Sequence, residues 1–408
     1  MGFNPLKEKG IPLENQVQSW QQINPQPYDK NEIHPYTRTR IILMNGIEVE
    51  GAIFKHQFAR HCSDPEINRQ IAITRALEQQ QQKVINWLSP ADESAIEITI
   101  GYEQVAVDLT AWLARTEKDK TVKDALDFAL LEDFDHLYRF ANLLELEENK
   151  QAEKSVRDLT EIMPGRPTIS EHRHPYDNIR KPVDFQTADI LTKLHILTIV
   201  SGEQQTMNFY MNVGNRAKTM IGRGLYQEIA QVEEEHVSHY ESLADPTSTW
   251  FEMLVLHEYN ECYMYYSCLE SEVDERMKKI WQHHLEEEIG HLHAALDLAK
   301  KFEGMDASDM MLPDQFPELT VFKSNIDYVR DILKNQIDLN CDGFDYVETD
   351  RLSRDHRFHQ HQEIVNAGIV PSQEVVQEHI ESKGMDYRLE MEGEHPVERL
   401  RERQVVLV

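Results

Sequence analysis

The chain has 408 residues, a length that fits two or three domains, and hydrophobic residues make up 40 % of it, enough for packed cores. Its net charge of −30 argues against a nucleic-acid partner, because contacts with phosphates need clustered Lys and Arg. No apolar run approaches the length of a membrane span, so no membrane contact is expected. The four cysteines form no C-x-x-C pair, which excludes a zinc ribbon and favours a reducing, cytoplasmic location.

In chain order, residues 1–37 come first; they are rich in Pro, Asn and Gln and predict an irregular arm. From about residue 38 onwards, apolar residues recur three and four positions apart, which is typical of helices. Pro beside Ser or Asp marks breaks between them. A first block of helices, 38–150, is therefore predicted at 38–62, 66–88, 92–117 and 121–150.

Residues 151–185 predict a linker, because the stretch 163–184 is dense in Pro and turn-forming residues. A second helical block, 186–303, follows, with helices at 186–213, 216–243, 248–272 and 274–303. Residues 304–408 predict a C-terminal extension of mixed structure with one helix near 320–337. The expected fold class is therefore all-α, with two helical blocks and a mixed tail.

Two Glu-x-x-His pairs lie in the second block: Glu233 with His236, and Glu288 with His291. In a helix, residues three apart lie on one face, so a carboxylate oxygen and an imidazole nitrogen can reach the same metal ion. A Glu-x-x-His pair that occurs once in a sequence usually lies on a polar helix surface. Here apolar residues flank both pairs at helical spacing, which indicates that the pairs are buried.

A single Glu stands 30 residues before each pair: Glu203 and Glu258. Two antiparallel helices joined by a short turn would bring that Glu level with the pair on its neighbour. The second block thereby offers the ligands of a two-metal carboxylate bundle. They are Glu203, Glu233, His236, Glu258, Glu288 and His291. Glu261, one turn beyond Glu258, is an alternative ligand, and Tyr210 and Tyr265 each lie seven residues after a single Glu.

A degenerate copy of this pattern lies 155 residues upstream, in the first block. It predicts a weak second site at Glu48, Glu78, Glu103, Asp133 and His136. Gln81 stands where a second His is expected, and an amide is a poor substitute for imidazole. The chain therefore reads as a tandem duplication of a four-helix bundle, in which the first bundle either binds metal weakly or serves as a scaffold.

The six residues of the second block resemble the ligand set of the ferritin-like superfamily, and within it the rubrerythrin-type di-iron arrangement. The resemblance covers about 186–303, with a degenerate echo over 38–150. It implies two tandem ferritin-like four-helix bundles. It also implies a cofactor of two iron ions, or of manganese as the alternative, held in the second bundle.

The resemblance further implies a di-iron carboxylate oxidoreductase that reacts with dioxygen or peroxide, of oxidase, oxygenase or peroxidase type. An unidentified small molecule or electron donor would be its second partner. The alternative is a non-catalytic protein, either an iron-handling one or a helical scaffold. A homodimer is compatible with the sequence, which does not decide the oligomeric state.

Overall fold

A computed structural model describes residues 3–386 and 388–401, and they are mostly helical, which confirms the all-α class. The first block forms α1 (Pro35–His61), α2 (Pro65–Asn86), α3 (Ala95–Thr116) and α4 (Lys120–Glu148). Two short helices follow, α5 (Glu153–Val156) and α6 (Thr168–Glu171). The second block forms α7 (Ile190–Val213), α8 (Met220–Glu241), α9 (Trp250–Ser271) and α10 (Glu275–Phe302).

Local capping chemistry sets the ends of these helices. Helix α3 begins with a capping box, in which Ser94 and Glu97 bond each other's backbone N–H groups. Thr249 and Glu252 form the same box at the start of α9. Aspartate side chains accept backbone N–H groups at the starts of α2, α4 and α10. The capping residues can be recognised in the sequence, and the predicted helix bounds lie within a few residues of the observed ones.

The two predicted contiguous bundles, 38–150 and 186–303, are wrong as compact units. Unit 1 contains the residues up to Asp92, together with Asp184–Gly202 and Ala244–Phe322. Unit 2 contains Glu93–Val183, Glu203–Leu243 and the residues from Lys323 on. Each unit therefore combines one helix pair from the first block with one from the second, because apolar faces pack by shape and not by distance along the chain.

Unit 1 is built from α1, α2, α9, α10 and the first part of α7. Helix α1 packs against α2 and α9, and α10 packs against α9 and α2. The arm before α1 is irregular apart from a 3-10 turn at Leu13–Asn15, as expected, but it is fixed to α10. The backbone N–H of Ile11 donates to Glu286 O at 2.7 Å. Gly290 allows this approach, because a Cβ there would lie 2.2 Å from Ile11 O.

Unit 2 is built from α3, α4, α8, the second part of α7 and the tail. Helix α4 packs against α3 and α8. Tyr210 of α7 contacts the rings of Phe140 on α4 and Tyr226 on α8, which joins α7 to the same core. In the tail, α11 (Ile326–Gln336) packs against α3 and α4, and α13 (Pro371–Lys383) packs against α4 and α8.

The segment 151–185 is not a free linker, because much of it is buried in unit 2. Arg166 donates its backbone N–H to Leu131 O of α4 at 3.0 Å. Gly165 makes this possible, since a Cβ there would lie 2.4 Å from the same Leu131 oxygen. The chain that follows carries Glu171 and Arg173, both buried, into the interior of the unit.

The tail is mixed, as predicted. After α11 comes an antiparallel hairpin of β1 (Leu339–Asp342) and β2 (Asp345–Glu348), in which Leu339 pairs with Glu348. Helices α12 (Arg357–Val365) and α13 (Pro371–Lys383) complete the unit. In the described ranges, no helix is both long enough and apolar enough to cross a membrane.

Candidate metal centre

The residues predicted as ligands are buried, but they form two clusters in place of the one expected in the second block. Glu203, Glu233 and His236 lie in unit 2, whereas Glu258, Glu288 and His291 lie in unit 1. The first-block residues divide in the same way. Glu103, Asp133 and His136 lie in unit 2, and Glu48 and Glu78 lie in unit 1. The weak second site predicted from the first block alone is therefore also wrong.

The unit 2 cluster takes its six members from four helices. Helices α3 and α7 each supply the single Glu, and α4 and α8 each supply an acid-x-x-His pair. Ligand atoms of Asp133, Glu203, Glu233 and His236 lie within 4.8 Å of one another. Ligand atoms of Glu103, His136 and Glu233 also lie within 4.8 Å of one another. Glu233 belongs to both groups, so the geometry offers two adjacent ion positions that share one carboxylate.

Each histidine of the unit 2 cluster presents Nδ1 to the carboxylates and is held at Nε2 by another Glu. His236 Nε2 lies 2.8 Å from Glu132 Oε2, and His136 Nε2 lies 2.9 Å from Glu171 Oε2. A carboxylate only accepts, so each Nε2 carries a proton and donates it. Nδ1 of His136 faces Glu233 Oε1 at 3.1 Å. This arrangement orients Nδ1 of both rings as the metal-binding nitrogen.

Two arginines from the supposed linker hold Glu132 in place. Arg166 Nη1 and Arg173 Nη1 lie 3.0 and 2.5 Å from Glu132 Oε1. Burial by itself would raise the pKa of Glu132, but these guanidinium groups and His236 hold it well below the ordinary value. Helical periodicity does not single out Glu132, which is one of several acids on α4. Glu171 and the two arginines lie in a Pro-rich stretch, and no local pattern connects that stretch to α4.

Several carboxylate oxygens of the unit 2 cluster accept no well-directed hydrogen bond from the residues that the structure describes. In the part of the chain that the structure describes, neither oxygen of Asp133 or Glu203 is in a well-directed hydrogen bond. Burial raises the pKa of Asp133, Glu203 and Glu103. Burial also acts on Glu233, but in the metal-free protein both histidines donate from Nδ1 as well, and these hydrogen bonds outweigh it and lower that pKa to about 2. Buried oxygens without donors are expected where a cation supplies the missing charge.

The donor set of the unit 2 cluster fits a pair of divalent ions. Four carboxylates carry four negative charges, and two neutral imidazoles add nitrogen ligands without charge. Such oxygen-rich sites with imidazole suit iron and manganese. The Tyr210 hydroxyl donates to Glu103 Oε1 at 2.5 Å, which leaves the other oxygen of that carboxylate free of hydrogen bonds in the described structure.

An open cleft of about 450 Å³ lies beside this cluster in unit 2. Arg173 and Glu235 line it, and Arg173 binds Glu132, which in turn holds His236. Two side chains, those of Arg173 and Glu132, therefore separate the cleft from a histidine of the cluster. Apolar side chains, including Ile369, also line the cleft.

The unit 1 cluster contains Glu78, Glu258, Glu261, Glu288 and His291, with ligand atoms within 4.8 Å of one another. Glu258 and Glu261 both face it, so the two are joint members and not alternatives. Glu48 lies beside this group and accepts a hydrogen bond from the Tyr265 hydroxyl. Burial is the main cause that raises the pKa of Glu48 well above its ordinary value.

No protein-family model, curated protein or solved structure matches this chain. What the clusters can do chemically therefore follows from their side chains alone.

Proposed function

We propose that the protein is a di-iron carboxylate oxidoreductase that acts with dioxygen or peroxide, and that its metal centre is the unit 2 cluster. One observation carries the proposal: six buried ligands from four helices form two adjacent groups that share Glu233. The ferritin-like, rubrerythrin-type resemblance supports it, because the unit 2 ligands have the same helical spacing and the same residue types, except that Asp133 replaces one Glu. In this proposal, α3, α4, α8 and the second part of α7 form the ferritin-like four-helix bundle.

Each ion would have its own ligands. Asp133, Glu203, Glu233 and His236 would hold one ion, and Glu103, His136 and Glu233 the other. Two iron ions held in this way would supply electrons for the reduction of dioxygen or hydrogen peroxide. Manganese would fit the same donors, so the choice of iron is part of the proposal.

The surrounding side chains would orient the ligands and exclude water. Glu132 and Glu171 keep a proton on Nε2 of the two histidines, so that a metal ion would replace only the proton on Nδ1. The six ligands are at most 1 % exposed, which excludes bulk solvent from the site. Arg173 stands between the cleft and Glu132, so an electron donor or small organic substrate bound in the cleft would lie close to His236.

The rival function is non-catalytic, either iron handling or a helical scaffold. A sealed core around the ligands would favour it. The six ligands are enclosed, and Arg173 and Glu132 stand between them and the cleft, so turnover and not access distinguishes the two functions. Reduced, iron-loaded protein given excess donor should consume dioxygen or peroxide over many turnovers, whereas an iron store or scaffold would stop after its own iron is oxidised.

Metal analysis with two variants of α8 tests the centre itself. Glu233→Ala removes the shared ligand, and we expect it to lose two ions per chain and all turnover. Glu241→Ala alters an exposed residue of the same helix, outside the lining of the cleft, and should keep both the ions and the turnover. Equal iron in Glu233→Ala and unaltered protein would contradict the ligand assignment. Folded protein without iron from iron-replete cells would refute the proposal.

A cytoplasmic location and a homodimer remain predictions. The four cysteines are free, which supports a reducing compartment. Gel filtration with light scattering would determine the oligomeric state.

A further inference from the structure

The unit 1 cluster repeats the unit 2 cluster position by position. Adding 55 to Glu48, Glu78 and Gln81 gives Glu103, Asp133 and His136. Subtracting 55 from Glu258, Glu288 and His291 gives Glu203, Glu233 and His236. Unit 1 thus keeps the four acids and one His, and Gln81 replaces the other. A cluster so similar in sequence raises the question of whether it binds the same pair of ions.

A buried lysine makes the unit 1 cluster different. Lys55 lies seven residues after Glu48, the same offset that separates Tyr210 from Glu203 and Tyr265 from Glu258. The tyrosines donate a neutral hydroxyl, but Lys55 brings a positive charge and a longer side chain. It is 0 % exposed. Comparing residues at this offset could have found it from the sequence.

The ammonium group of Lys55 lies among the carboxylates of the cluster. Its Nζ is 3.0 Å from Glu258 Oε1 and 3.9 Å from Glu261 Oε1, and it is in close contact with Glu78 Oε1. Glu258 and Glu78 correspond to Glu203 and Asp133, which belong to one ion position in unit 2. The ammonium therefore supplies positive charge where unit 2 would hold part of its metal pair.

Lys55 does not satisfy the whole cluster. Among the described residues, the second oxygens of Glu78, Glu258 and Glu261 are buried without a hydrogen bond. One oxygen of Glu288 is also buried without a hydrogen bond from any described residue. Five carboxylates, counting Glu48, face one ammonium group, so a large excess of negative charge remains. Unpartnered oxygens at this depth need a further cation or bound protons.

His291 is oriented as a metal ligand in this cluster. Its Nδ1 lies 3.1 Å from Glu288 Oε2 and 3.8 Å from Glu78 Oε1. Its Nε2 lies 2.6 Å from the side-chain oxygen of Gln16. The Gln16 amide nitrogen donates to Ile11 O and Glu287 O, which fixes its oxygen as the acceptor. Gln16 thus holds the proton on Nε2, as Glu132 and Glu171 do in unit 2.

We propose that unit 1 binds a single divalent cation, with the Lys55 ammonium group in place of the second ion. The ligands are Glu78, Glu258, Glu261, Glu288 and His291. One ion beside a fixed ammonium cannot form a metal pair, so this site holds the helices of unit 1 together and does not carry the two-metal chemistry. The inference is independent of the proposed function, because it concerns other residues and another unit.

The test counts ions in full-length protein that carries Glu233→Ala, which removes the unit 2 pair. After dialysis against manganese, we expect one ion per chain. No bound ion would mean that Lys55 and protons are sufficient to neutralise the cluster. Two bound ions would mean that the ammonium group displaces no ion. Either result would overturn the proposal. Failure of the proposed function is seen separately, as equal metal content with and without Glu233→Ala.

A second variant tests the role of Lys55 directly. In the same background, Lys55→Met removes the ammonium group at similar length and should raise the count from one ion to two. Lys83→Met, at an exposed position of α2, should leave it at one. A count of one in Lys55→Met would overturn the role given to Lys55. Gln16→Ala should weaken manganese binding by about 10- to 100-fold, as loss of a group that orients a ligand usually does.

A measurement without any substitution covers the case in which these variants do not fold. Crystals of unaltered protein soaked in manganese should give one anomalous peak among Glu78, Glu258 and His291. The Lys55 ammonium group should remain beside it. Two peaks or none at that position would overturn the proposal, whatever the occupancy of unit 2.

Discussion

Single residues decide whether the buried charges of this protein are stable. Glu132 is the clearest case, because it joins two arginines to a histidine of the unit 2 cluster. Breaking a buried ion pair by removing one partner usually costs more than the pair contributes, since the remaining charge stays buried without compensation. Glu132 is therefore as important to folding as to the orientation of His236.

We predict that Glu132→Gln lowers the free energy of unfolding by about 3 kcal/mol, because it leaves the guanidinium groups of Arg166 and Arg173 buried without a carboxylate. Urea denaturation in the presence of a chelator measures this without a contribution from bound metal. Glu234→Gln, an exposed position on α8, is the control and should change the value by less than about 0.5 kcal/mol. Equal losses in the two variants would contradict the assigned role.

At the level of elements, irregular segments complete both clusters. The arm supplies Gln16 to His291 in unit 1. The segment before α7 supplies Glu171 to His136 in unit 2. Each reaches its helix at a glycine, Gly290 on α10 for the arm and Gly165 against α4 for the segment. Helix periodicity predicts neither contact, because a loop is positioned by what it packs against.

We predict that Gly290→Ala destabilises unit 1, although alanine usually favours a helix by about 1 kcal/mol over glycine. The added Cβ would lie 2.2 Å from Ile11 O and 2.9 Å from Gln16 Nε2, so the arm must move. Overpacking of this kind costs about 1–3 kcal/mol. Thermal unfolding and limited proteolysis of the arm would measure it. A variant more stable than the original, with the arm equally protected, would contradict the contact.

For the molecule as a whole, the helix pairs are nested along the chain. The outer pairs, α1–α2 and α9–α10, belong to unit 1, and the inner pairs, α3–α4 and α7–α8, form the ligand-bearing part of unit 2. Each pair carries half a ligand set, one Glu and one acid-x-x-His or its degenerate form. A complete set forms only when two pairs combine, so metal binding and folding of each unit are expected to be linked.

We predict that removing metal destabilises the protein and that the loss grows as pH rises. Burial raises the pKa of Glu103 and Glu203 above the ordinary 4.5. Their contribution to stability without metal is therefore full below about pH 4.5 and is lost as pH rises through the raised values. Bound ions remove this penalty and add about 2.7 kcal/mol when free metal is 100-fold above Kd.

Thermal unfolding with manganese and with chelator, at several pH values from 4 to 7, measures how much stability the metal adds. The gap between the unfolding temperatures with manganese and with chelator should widen as pH rises. Protein that carries Glu233→Ala should show a smaller gap, since it keeps only the ion proposed for unit 1. A gap that does not depend on pH would contradict the assignment of unpaired carboxylates as ligands.

The sequence by itself determined the all-α class, the helix bounds and the buried acid and histidine positions, because helical periodicity and caps are local properties. Only the tertiary structure decided which helix pairs share a unit, and so which of the repeated acids meet. The four helix pairs carry similar ligands, so the sequence does not distinguish between them. No local pattern indicates that Glu233 meets Asp133 and not Glu288. Packing of apolar faces made that choice, together with the arm that brings Gln16 to His291 and the segment that brings Arg166 and Arg173 to Glu132.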